Sequence, residues 1–115
     1  MTRSAIEWTE QATRQLDHVH DYIALSNSEE LATRIVMQIV TSVQQLTAFP
    51  MSGRSGRVPG TRELVISNTP FIAAYATDID NDRIVVLAIY HGAQQWPEAF
   101  WPSKVGPRRL DMRST

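Results

Sequence analysis

The sequence predicts an α+β domain of two layers, an antiparallel sheet covered on one face by a helical hairpin, in the order β-α-α-β-β-β. Three observations predict it. Between residues 9 and 49, apolar side chains recur at helical spacing in two blocks separated by a short polar break. Between residues 63 and 90, three apolar runs rich in β-branched and aromatic residues are separated by turn signals. Each half carries an apolar face that it cannot bury alone, so the two must pack together.

The elements follow in order. Ala5-Ile6-Glu7-Trp8 reads as a short first strand. Thr9 is a natural N-cap, and Glu10 follows in the first turn, where a carboxylate favours the helix dipole. Ala12, Leu16, Val19 and Ile23 then recur at steps of four, three and four, one stripe of an amphipathic helix. Leu25-Ser26-Asn27-Ser28 interrupts it, and Ser26 with Glu29, or Asn27 with Glu30, supplies a reciprocal cap for a second helix. That helix carries Leu31, Ile35, Ile39, Val43, Leu46 and Phe49 along one face, and Pro50 ends it. A break so short makes the two helices pack antiparallel.

The texture changes after Pro50. MSGRSGRVPGTR, from Met51 to Arg62, holds three glycines and Pro59 and reads as an exposed loop. Glu63 to Ile66 is a strand, Ser67-Asn68-Thr69-Pro70 a turn, Phe71 to Thr77 a strand, Asp78 to Asp82 a polar turn, and Arg83 to Tyr90 a third strand. Residues 84–89 are apolar throughout, which marks a central strand, and three strands joined by short turns make a meander. Residues 1–97 read as one domain and 98–115 as a C-terminal tail that can pack on it.

Composition narrows the function classes. A chain of 115 residues buries one core, and its 43% hydrophobic and 20% charged residues are those of an ordinary globular protein. With no cysteine, disulfides and thiolate chemistry are excluded. No apolar run approaches the roughly 20 residues of a membrane helix, and MTRSAIEW lacks the apolar centre of a secretory signal. The expectation is a cytoplasmic protein with no membrane partner. The net charge is −1, but it is unevenly placed. Residues 51–77 carry Arg54, Arg57 and Arg62 against Glu63, and the tail from residue 100 carries Lys104, Arg108, Arg109 and Arg113 against Asp111. If loop and tail converge they form a local basic patch; otherwise these are solvated surface arginines.

Several motifs fail on spacing. Asp78, Asp80 and Asp82 match the first ligands of a calcium loop, but Arg83 stands where the loop needs glycine and Ile89 where it needs glutamate. His18 and His20 lie about 200° apart around a helix and cannot share an ion. Gly53 and Gly56 follow a helix rather than a strand, so no phosphate-binding loop is expected, and no Gly-x-Ser-x-Gly elbow occurs. No metal or cofactor is expected. What remains is the strand end Tyr90-His91 with Arg54, Arg57, Arg62 and Arg83. An imidazole handles protons near neutrality, and guanidinium groups stabilise a phosphate in transfer, which is the equipment of metal-free RNA cleavage. The plainer reading has His91 ending a strand and Tyr90 packed in the core. The tail WPEAFWP adds Trp96, Phe100 and Trp101, either a contact surface or a cover for the open face of the sheet.

IEWTEQATRQLDHVHDYI, the loop into PGTRELVI and the closing DRIVVLAIYHGAQQWP together resemble the RelE/ParE superfamily, toxins of bacterial type II toxin–antitoxin modules, over residues 5–97. The resemblance implies a toxin silenced by a cognate antitoxin whose disordered segment wraps the hairpin and sheet. RelE-like members are ribosome-dependent mRNA endonucleases; ParE-like members poison DNA gyrase. As a nuclease, this chain would use His91 for protons and Arg62, with Arg57 or Arg83 and Tyr90, at the scissile phosphate. The resemblance also implies lysines that RelE uses, yet the only lysine is Lys104, and a glutamate base in the 51–60 loop, which holds no acid. HGAQQWP is closer to the ParE-like group. The favoured reading is therefore a gyrase poison, with Arg54, Arg57, Trp96, Phe100 and Trp101 as partner contacts, and the alternative is an mRNA endonuclease acting on the ribosome.

Overall fold

The computed structural model describes residues 5–78 and 80–92. The elements are β1 (Ala5–Trp8), α1 (Glu10–Ser26), α2 (Glu29–Gln44) with a 3₁₀ turn (Gln45–Thr47), β2 (Arg54–Ser55), β3 (Arg62–Val65), β4 (Phe71–Asp78) and β5 (Arg83–His91). The predicted meander β3-β4-β5 is present, and two strands extend it to a five-stranded sheet of order β1-β5-β4-β3-β2. β1 lies parallel to β5, pairing Ala5 with Arg83 through Trp8 with Val86, so the sheet is mixed rather than wholly antiparallel. Pairing direction is a long-range property that no local pattern in AIEW encodes. β2 falls inside the predicted loop, where Arg54 pairs Glu63 and Ser55 pairs Arg62.

Thr9 joins strand, helix and sheet. Its hydroxyl accepts from the Ala12 N–H at 3.0 Å as the N-cap of α1 and donates to the Leu87 carbonyl at 3.3 Å, while its own N–H reaches the Val86 carbonyl. The cap of α2 is Ser28, which accepts from Leu31 N–H at 3.0 Å, in place of the predicted Ser26 or Asn27. Ser26 is still helical, and its hydroxyl bonds back to the Tyr22 carbonyl instead.

One face of the hairpin packs on one face of the sheet. Ala12, Val19, Ile39, Val43 and Leu46 meet Phe71, Ala73, Tyr75, Ile84, Val86 and Ile89. Each fully buried branched side chain here contributes about 1.5–3 kcal/mol. Phe49 does not join them: it is 67% exposed, because α2 gives way to the 3₁₀ turn and the stripe loses its phase before it.

A β-bulge interrupts β5. Ala74 pairs Ala88 but Tyr75 pairs Val86, leaving Leu87 without a partner on β4. Side chains of α1 occupy the freed backbone: Leu87 O accepts from Thr9 and Gln11, and the Ile89 N–H donates to the buried Gln15 Oε1 at 3.0 Å.

Tyr75 holds the loop after α2. Its hydroxyl accepts from Gly53 N–H at 2.9 Å and donates to the Pro50 carbonyl at 2.8 Å. Gly53 permits the approach, since a Cβ there would stand 2.7 Å from the Tyr75 hydroxyl and 2.9 Å from Glu63 O. Tyr75→Phe strands a buried donor and an acceptor, so denaturant unfolding should show a loss of about 1–3 kcal/mol; a change below experimental error would show that the clamp is dispensable.

His20 joins the hairpin near its turn, its Nε2 3.0 Å from Glu29 and its Nδ1 3.2 Å from Asp21. These carboxylates raise its pKa above the ordinary 6.5. The folded chain thus holds this proton more tightly than the unfolded chain does. The stabilisation is fully present below about pH 6.5 and is lost as pH rises through the raised value. Unfolding midpoints measured from pH 5 to 9 should show this component in the parent protein and not in His20→Gln; identical profiles would refute it.

Candidate functional site

The bulge divides the end of β5 between the two faces of the sheet. Ile84 and Val86 face the helices, but beyond Leu87 the parity reverses: Ala88 and Tyr90 join Ile72 and Ala74 on the opposite, open face, while Ile89 stays with the helix-facing core. His91 pairs Phe71 in register and sets its ring edge-on to it, centroids 5.5 Å apart and planes at 77°. Adjacent in sequence, Tyr90 and His91 therefore work on different faces.

The open face carries a polar cluster beside Tyr90. Glu63, on β3, is 3% exposed and is held on three sides. Arg54 Nε and Nη2 both donate to its Oε1, at 3.1 and 3.0 Å, and the Arg57 backbone N–H donates to Oε2 at 3.3 Å. A buried carboxylate costs several kcal/mol unless it is paired in this way. Burial, and then the Glu63 carboxylate beside it, push the Tyr90 phenol far up, with Arg57 and Arg54 opposing more weakly. Tyr90 thus stays protonated at any physiological pH and cannot accept a proton.

Arg62 takes a different part. Its Nη1 donates to the carbonyls of Gly53 at 2.6 Å and Met51 at 3.3 Å, fastening the loop from the same side as Tyr75. The Tyr75 phenol is raised by its burial, with the Gly53 N–H and the Arg62 charge opposing. Arg83 stands at the other end of β5, roughly 25 Å from His91 at strand spacing. It forks onto Glu7, at 3.1 and 3.0 Å, and reaches Asp78 at 3.5 Å. The Asp78 carboxyl is held below its usual range, chiefly by the Asn81 side-chain amide and secondarily by the Asn81 backbone N–H and Arg83.

The six predicted side chains therefore do not share one place. Arg54, Arg57 and Tyr90 gather on the open face around Glu63; Arg62 lies at the loop clamp, His91 against Phe71, and Arg83 at the far end. Trp96, Phe100 and Trp101 lie outside the described residues. Sequence reading passed over Glu63, Tyr75 and Gln15. Glu63 and Gln15 carry a signal in principle, a polar residue at a position whose neighbours are apolar, and Tyr75 is a phenol inside an apolar strand, where a buried hydroxyl needs a partner. Among the described residues no three His, Asp or Glu side chains are grouped to hold a metal, and no helix is long and apolar enough to cross a membrane.

On the protein's exterior, Tyr22 and Leu25 at the end of α1, Met37 on α2, and Phe49 and Met51 before β2 are more than half exposed.

Comparison with known proteins agrees with this architecture. The family described as ParE toxin of type II toxin-antitoxin system, parDE, matches residues 6–96. A Sinorhizobium fredii protein named "Putative toxin Y4kP" is 40% identical over 98 residues, 85% of this chain and 98% of its own. A structure of the chromosomal ParDE TA system from P. aeruginosa superposes with a TM-score of 0.71 at 30% identity, covering 77% of this chain and 96% of that one. The toxin–antitoxin complex RelBE2 from Mycobacterium tuberculosis gives 0.57 at 20% identity, over 77% of this chain and 98% of that one, a likeness of fold alone. With that fold, and with a family match that runs from β1 past the end of β5, the chain belongs to the ParE toxins of type II toxin–antitoxin systems.

Proposed function

We propose that this protein is a toxin neutralised by a cognate antitoxin, and that it acts by binding and poisoning DNA gyrase rather than by cutting RNA. The observation that carries the reading is the separation of the nuclease candidates. Metal-free cleavage needs a base, an acid and cationic donors within hydrogen-bond reach of one phosphate. Here His91 and Tyr90 occupy opposite faces, Arg62 serves loop carbonyls and Arg83 is a strand length away. Membership of the ParE family and the 30% identity to the P. aeruginosa ParDE structure support the same reading.

An antitoxin segment that folds on binding needs exposed apolar anchors. Tyr22, Leu25 and Met37 on the hairpin supply them. Gyrase contact falls to the loop that presents Arg54 and Arg57, with exposed Phe49 and Met51 just before it in sequence. Purified protein added to gyrase and supercoiled DNA should trap cleaved DNA, and should leave mRNA intact on translating ribosomes. His91→Ala should trap gyrase as well as the parent does. Codon-positioned mRNA cuts that vanish in a folded, antitoxin-binding His91→Ala protein would favour the ribosome-dependent endonuclease instead.

A further inference from the structure

The loop between β2 and β3 closes on itself. Gly56 donates its N–H to the Thr61 carbonyl at 2.8 Å. Thr61 in turn donates its N–H, at 3.1 Å, and its hydroxyl, at 2.6 Å, to the Val58 carbonyl. Gly60, at a φ of 87°, supplies the left-handed residue that the reversal requires. From within the turn the Arg57 N–H donates to Glu63 Oε2 at 3.3 Å, and Glu63 is itself buried and paired with Arg54. The turn is thus bonded both across itself and to β3. Its backbone has little freedom left to lose when a partner meets it.

What the turn displays is a single cation among uncharged neighbours. Ser55, Gly56, Val58, Pro59, Gly60 and Thr61 carry no charge. Arg57 and Pro59 are exposed, and Val58 is half-buried between them. Of the four arginines of the loop and sheet, Arg54 gives two donors to Glu63, Arg62 serves the Gly53 and Met51 carbonyls, and Arg83 is forked on Glu7. Arg57 is engaged through its backbone N–H, and its guanidinium makes no hydrogen bond or ion pair among the described residues. All five of its side-chain donors are therefore open to a partner. A nucleic acid is held by several cations acting on successive phosphates. This loop offers one, because Glu63 cancels Arg54 and Arg62 is turned to the helical side. A lone guanidinium beside apolar side chains on a fixed backbone is instead the anchor of a protein interface, and a carboxylate is what its planar fork fits.

We propose that Arg57 is the anchor of the gyrase contact, and that it pairs there with a carboxylate of the gyrase protein rather than with a phosphate of the DNA. The inference rests on the gyrase reading above and narrows it from a loop to one side chain and one partner chemistry. Val58 and Pro59 supply the apolar contact beside the ion pair. The closed turn delivers the guanidinium in a fixed position, so the pair forms without first ordering the loop.

The test titrates the fluorescently labelled full-length chain with gyrase holoenzyme, with and without a DNA duplex. Without DNA, Arg57→Gln should weaken binding roughly tenfold or more, and Arg57→Glu should weaken it further, because like charges then meet. Raising the salt concentration should weaken the parent more steeply than Arg57→Gln. Arg57→Gln removes no internal side-chain bond, so its unfolding midpoint should match the parent's and the loss is one of contact. The proposal alone is overturned if the parent binds gyrase and Arg57→Gln binds within about twofold of it, or if the two substitutions lose affinity equally. A loss that appears only when DNA is present overturns it in favour of a phosphate. A parent that binds gyrase neither with nor without DNA overturns the gyrase reading itself, and this inference with it.

Discussion

The position of every side chain after Leu87 depends on one extra residue in β5. Strand side chains alternate with period two, so a single insertion transfers all that follow to the other face. Without it, Tyr90 would continue the helix-facing row of Ile84 and Val86, and His91 would stand on the open face beside Arg54 and Arg57. With it, His91 packs its ring on Phe71 and Tyr90 stands beside Glu63. The bulge survives because α1 satisfies what it exposes: Thr9 and Gln11 reach the Leu87 carbonyl and Gln15 takes the Ile89 N–H. An unpaired N–H at a buried position costs about 1–3 kcal/mol, so these side chains select the bulged register over the regular one.

A second constraint concerns the loop between α2 and β3. Three glycines and a proline would leave such a stretch free to vary, but both sides of it are fastened. On the helical side Tyr75 and Arg62 bind the backbone of residues 50–53, and on the open side Glu63 binds Arg54 and the Arg57 N–H. Arg62 and Glu63 are neighbours on β3 and face opposite ways, so one short strand holds the loop from two directions. The Arg54 and Arg57 side chains are presented to solvent from a fixed backbone, which lowers the ordering entropy of any partner that meets them.

Much of the fold was legible because it rests on local pattern. The Thr9 cap, the helix stripes, the Asn68 turn and the three meander strands all have signals within a few residues. Features set by distant pairing were not. Nothing in AIEW tells a parallel edge strand from an antiparallel one, nothing in MSGRSGRVPGTR marks Arg54-Ser55 as paired, and the bulge has no glycine to announce it. Phe49 continued the period of α2 on paper but fell beyond the tightening at Gln45, where the period changes. The candidate site suffered most from this. Its residues lie in the loop, on β3 and on β5, and the faces that Tyr90 and His91 take are decided by the parity that the bulge reverses.

The engagements of the arginines bear on mechanism as much as their positions do. A guanidinium that stabilises a phosphate must have donors to give it, and those already bonded to carboxylates or carbonyls give up that pairing first. Arg54 is on Glu63, Arg62 on Gly53 and Met51, and Arg83 on Glu7 and Asp78. Of the four, only the Arg57 guanidinium makes no hydrogen bond or ion pair among the described residues, and it belongs to an exposed residue of the loop. Its neighbour Tyr90 is locked in the protonated state, and the imidazole nearest in sequence is turned to the other face. Cations that brace a scaffold, with one left to reach outward, suit a protein that works by docking to a macromolecule. They suit poorly one that must assemble charge around a reacting phosphorus.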